Sequence, residues 1–164
     1  MAGIILQPHP ADNGGDDRSN SLRLVDSTVR STDVLAPRVR AYLCQIVGQG
    51  AAITYQALAR ALAISPPNTI HQLTVALECL MEEDAAAARP LIAALVISKT
   101  RGGLPAPGFF ECARRVGRFD GYPSGSEASA FYVAEFNRAV EFWSAPAEVV
   151  QSDAQDPPTT GDGN

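Results

Sequence analysis

Five residues with side chains that can hydrogen-bond stand close together after a Pro-Pro break: Asn68, Thr69, His71, Gln72 and Thr74. Amide, hydroxyl and imidazole groups of this kind can pair with base edges in the major groove of duplex DNA. A recognition helix presents such groups from its N-terminal end. Lys99 and Arg101, beside Gly102 and Gly103, and Arg60 further upstream supply positive charge for phosphate oxygens. Contacts of that kind position a protein on DNA without reading sequence.

Enzymatic chemistry has less to work with. The chain has two histidines, His9 and His71, so a nucleophile–histidine arrangement would rest on His71 alone if His9 belongs to an unstructured segment. "TRGGLPAPG" contains glycines but lacks the G-x-x-x-x-G-K-[ST] phosphate loop. Glu82, Glu83 and Asp84 are adjacent near an expected helix end, and such a run is normally solvated. Cys44, Cys79 and Cys112 are more than thirty residues apart, without metal-ligand spacing, and are expected to be reduced and partly buried. The chain is therefore read as a non-enzyme with no cofactor and no metal.

The elements that must position these residues follow from apolar spacing. Leu35, Val39, Leu43 and Ile46 predict a first helix, stopped near Gly48 and Gly50. "AAIT" is a short strand candidate, and Thr54 is the expected N-cap of a helix from Tyr55 to Leu62. "SPPN" ends that helix because proline restrains the residue before it and supplies no amide donor. Asn68 or Thr69 then caps a third helix to about Asp84, with Ile70, Leu73, Leu77, Leu80 and Met81 on the apolar side. "PLIAALVIS" favours a strand through Val96 and Ile97, although its alanines leave a buried helix open. "FFECARRVGRF" is a short helix, and Ser124 with Glu127 suggests a capping box for a last helix from Ser126 to Trp143.

This order predicts a mainly α domain with a small β component, winged helix-turn-helix-like with extra C-terminal helices, over residues 34 to 145. Residues 1 to 33 and 146 to 164 are expected to be disordered, acidic tails. The net charge of -5 lies in those tails, because residues 34 to 145 carry ten basic and nine acidic side chains. The folded part is thus near neutral, and an acidic tail can compete with phosphate for a basic face. "MAGIILQPHP" does not read as a leader, and no apolar run approaches the ~18 residues of a membrane span, so a cytoplasmic setting is expected.

The stretches "ITYQALARAL", "TIHQLTVAL" and "RPLIAALVISKTRGG" resemble the winged-helix DNA-binding domain of O6-alkylguanine-DNA alkyltransferases and alkyltransferase-like proteins, over roughly residues 34 to 110. The resemblance implies a recognition helix at Thr69 onward and an active-site strand within "PLIAALVIS". That strand here holds none of the Pro-Cys-His-Arg motif, so alkyl transfer has no nucleophile. The arginine that the family inserts into the base stack corresponds to a position at or near His71. "LVISKTRGGLPAPGFF" is also similar to a strand-and-loop pattern of small prokaryotic proteins without an assigned reaction. What remains is a DNA-binding shape, with double-stranded DNA as partner and a homodimer as a further possibility. A protein-docking module is the alternative, offering Phe109, Phe110, Tyr132, Phe142 and Trp143 to a partner.

Overall fold

The computed structural model describes residues 17–146, with side chains from Thr32 onward. Expectations for residues 1–16 and 147–164, His9 among them, lie outside the described residues. The chain is mainly helical. Five α-helices run Asp17–Ile46 (α1), Tyr55–Ala61 (α2), Thr69–Ala86 (α3), Pro107–Arg115 (α4) and Ser126–Ser144 (α5). Two short strands, Ile53–Thr54 (β1) and Val96–Ile97 (β2), pair in parallel with Ile53 opposite Val96 and Thr54 opposite Ile97. Among the described residues no helix is long and apolar enough to cross a membrane.

α1 begins at Asp17, inside the stretch expected to be a tail. The apolar positions Leu22, Val25 and Val29 continue the three- and four-residue spacing of Ala36, Val39 and Leu43, and that spacing was legible in the sequence. "PLIAALVIS" forms a 3-10 turn at Ile92–Leu95, and only Val96 and Ile97 extend as a strand. The capping box at Ser124 does not form, because Gly125 takes the cap position at φ 93 and no side chain caps α5. Ser124 then lies one residue too early to reach the amide that a cap satisfies.

Leu91 to Val96 is the middle of the molecule, its side chains wholly or almost wholly buried among Val39, Leu43, Leu73, Leu80 and Phe110. Backbone this deep must find partners for its amides. Two carboxylates supply them. Asp84, at the end of α3, accepts from Ile92 N–H through Oδ2 at 3.1 Å and from Arg40 Nη1 through Oδ1 at 2.7 Å. Arg89 Nη2 reaches the same Oδ1 at 3.1 Å. Glu135 of α5 accepts from Leu91 N–H at 2.7 Å and pairs with Arg138. Both carboxylates are fully buried, so the solvated reading of Asp84 is corrected. The carboxylate is held inside because two guanidinium groups and an amide replace its water. Arg40 and Arg89 also lie over the Trp143 ring, at 5.2 and 5.4 Å from its centroid.

Of the aromatics considered for partner docking, Phe109, Phe110 and Tyr132 are buried and Trp143 is half-buried, which leaves Phe142 exposed. Their rings instead pack on one another, with Phe109 and Phe110 edge to face at 5.3 Å. Glu135 was missed as a core residue, since it sits on the same inward stripe as Ala128, Tyr132 and Ala139.

Cys44 is exposed, Cys79 half-buried and Cys112 buried, all as free thiols. Burial pushes the Cys112 thiol up to about 11, Glu78 and Glu82 add to the rise, and Arg115 opposes it. An unfolded thiol ionises near ~8.5, so above that pH the unfolded chain loses its proton first. The group's contribution to stability is whole below that value and is lost as pH rises towards about 11. Tyr55 and Tyr132, also raised mainly by burial, act in the same direction. The urea midpoint is expected to fall steadily through this alkaline window. A flat midpoint there would show that the Cys112 site is wetter than its packing implies.

Candidate nucleic-acid interface

The Pro-Pro turn joins α2 to α3, and α2 starts as the sequence requires. Thr54 is extended and its Oγ1 accepts from Ala57 N–H at 3.2 Å. Tyr55 follows, its phenol raised by burial and held against the Ala106 backbone by a hydrogen bond that opposes the rise. At the other end of α2, Arg38 of α1 donates to Leu62 O at 2.7 Å. The turn is closed by Gln72, whose Nε2 donates to Ser65 O at 3.1 Å and Pro67 O at 2.7 Å. Asn68 stands at the start of α3 in the left-handed region, φ 60, and makes no side-chain cap. Thr74 Oγ1 donates back to Ile70 O at 2.9 Å.

The β1–β2 pairing places the loop after Ile97 beside the start of α2. Ser98 N–H donates to Leu104 O at 2.9 Å and closes that loop on itself. Gly102 and Gly103 turn it with φ 61 and 92, a backbone that side chains rarely adopt. Arg101 is its anchor. It donates to Pro105 O at 3.0 Å and Pro123 O at 3.1 Å and lies over the Phe110 ring at 5.8 Å.

Between the two helices and this loop lies a groove of ≈ 1030 Å³. Arg60, Thr69 and Lys99 of the expected residues line it, with Thr54, Gln56 and Ser65 as further polar groups and Ala59, Ala63, Ile64, Pro66 and Ile70 as apolar surface. Asn68, His71, Gln72, Thr74 and Arg101 are outside its lining. Gln72 and Arg101 spend their donors on backbone carbonyls, so each holds the shape of the turn or loop beside the groove. Gln56 was missed, although Gln56 and Arg60 are one helical turn apart and share a face of α2. Ile70, expected in the core, is 42% exposed because it falls in the first turn of α3, before that helix meets α2 and α1.

The electrostatics of the groove depend on how the other cations are used. Arg40, Arg89, Arg115 and Arg138 pair with carboxylates. Arg38, Arg101 and Arg118 donate to carbonyls of distant segments. Among the residues whose side chains are described, from Thr32 onward, this leaves Arg60, bonded only to Gln56 O in its own helix at 3.4 Å, together with Lys99 and Arg114. Two of the three line one groove, and no carboxylate lines it with them. Compared with known protein families, curated proteins and solved structures, the chain finds no match.

Proposed function

We propose that the groove takes the sugar-phosphate backbone of duplex DNA and that the chain is a non-catalytic DNA-binding regulator or accessory factor. In this reading α2 and α3 act as the helix-turn-helix of a winged-helix-like domain, and the loop from Ser98 to Leu104 acts as its wing. The observation that carries it is the pair Arg60 and Lys99, cations without a carboxylate partner that share a carboxylate-free groove at the start of α3. The exposed His71 and the groove-lining Thr69 remain available to base edges.

Two phosphate contacts give a log-log salt slope of about -2 by the rule of ~0.9 per neutralised phosphate, since Arg101 is committed to carbonyls. Affinity for a duplex is expected to fall about tenfold between 50 and 200 mM salt. The Arg60→Ala, Lys99→Ala protein should lose that dependence on every sequence alike. Fluorescence anisotropy with two unrelated duplexes measures both, and binding that ignores salt would sink the reading. Ile70 and the apolar floor of the groove favour a second reading, a docking site for a protein partner, which salt-insensitive association would support.

A further inference from the structure

We propose that the groove is also the docking site of the chain's own C-terminal segment, residues 147–164, which competes there with any anionic partner. The proposal goes beyond the DNA reading and does not depend on it. Charge is the first ground. That segment carries Glu148, Asp153, Asp156 and Asp162 and no basic residue, whereas the groove offers Arg60 and Lys99 with no carboxylate beside them. Its sequence "DPPTTGD" sets Pro157 and Pro158 between two of the aspartates, a match for cations flanking an apolar floor of Ala63, Ile64 and Ile70.

Reach is the second ground. The Trp143 indole donates to Pro90 O at 3.0 Å, which fixes the end of α5 beside the segment that leads to Lys99. Nine residue steps lead from Pro90 to Lys99, so at ~3.3 Å each they span about 30 Å when extended, and less because the path includes the 3-10 turn. The ten steps from Pro146 to Asp156 can span about 33 Å, and the sixteen to Asp162 about 53 Å. Asp162 therefore reaches the groove from where α5 ends even along the longest path, and Asp156 reaches it as the 3-10 turn shortens that path.

Magnitude decides whether such a contact is populated. Exposed ion pairs are individually weak, too weak for association between separate molecules. A tethered segment acts at an effective concentration of the order of mM, so the ion pairs and the proline contact to the apolar floor together need reach only a Kd near 1 mM for the contact to be about half-formed within one chain. A half-occupied groove lowers the apparent affinity for a competing anion about twofold.

The test compares the full-length 15N-labelled protein with its D153N/D156N/D162N variant, which leaves the described residues unchanged. At an ionic strength of about 0.01 M, where the screening length is about 30 Å, the backbone amide signals of Thr69, Ile70 and Lys99 are expected to differ between the two proteins. They should converge at about 1 M, where it is about 3 Å. The exchange Lys99→Asp with Asp156→Lys should restore the low-salt difference that Lys99→Asp alone removes. Coincident signals at low salt overturn the proposal, and so does a difference that grows with protein concentration, since the segment would then be acting between copies. Titration with a duplex is read separately. If neither protein binds DNA, the DNA reading falls while the amide comparison still decides the docking.

Discussion

Replacing Asp84 with Ala is expected to destabilise the fold by about 3–5 kcal/mol, the cost of breaking a buried ion pair from one side. The carboxylate is wholly buried and receives Arg40, Arg89 and the Ile92 amide. Its removal strands that amide in the core, leaves Arg89, 36% exposed, without a carboxylate partner, and leaves Arg40, 20% exposed, with Glu83 alone. Domains of this size are stable by about 5–15 kcal/mol, so the variant should stand close to unfolding at room temperature. Asp84→Asn keeps the shape and one acceptor for Ile92 but turns donors towards the arginines, so it should recover only part of the loss. Urea denaturation of the three proteins measures this. A loss below about 1 kcal/mol for Asp84→Ala would put the pair in the class of exposed salt bridges and contradict the burial.

The same residue shows where sequence reading reaches its limit. Helix periodicity is local, and Val39, Leu43, Leu73, Leu77 and Leu80 fall in the core as their spacing requires. Thr54 is likewise a cap by its own chemistry. Asp84, by contrast, looks like the end of the acidic run Glu82–Glu83–Asp84, and it is drawn inside by Arg40, forty-four residues earlier, together with Arg89 and the Ile92 amide. Glu135 is as distant from Leu91, the amide it satisfies. Such long-range pairings have no period, which is also why "PLIAALVIS" reads as a strand with a buried helix left open, and folds as a buried 3-10 turn at Ile92–Leu95 that runs into the strand at Val96 and Ile97. In the groove, residue type located Arg60, Thr69 and Lys99 but could not say which donors the fold consumes. Gln72 and Arg101 carry the right chemistry for DNA and use it on Ser65, Pro67, Pro105 and Pro123.

Glu135→Ala is expected to cost about 2–3 kcal/mol, less than Asp84→Ala. Its loss leaves the Leu91 amide buried without an acceptor, a penalty of about 1–3 kcal/mol, and opens space where a long side chain was packed. Arg138, 56% exposed, can turn to water, so little charge penalty is added. Asp84 and Glu135 hold adjacent amides, Ile92 and Leu91, of one turn. If the turn leaves its place once either carboxylate is gone, the second loss removes a contact already broken. The double variant is then expected to cost less than the sum of the singles by about 0.5–3 kcal/mol, whereas strict additivity would show that the two clamps act independently. Because the turn continues directly into Val96, Ile97 and Lys99, its loosening should reach the groove. In Glu135→Ala, under conditions where it stays folded, hydrogen exchange should therefore quicken at Leu91 and also across the β1–β2 pairing, while the amides of Ala57 and Leu58 in α2, held by its own cap and ladder, keep their protection.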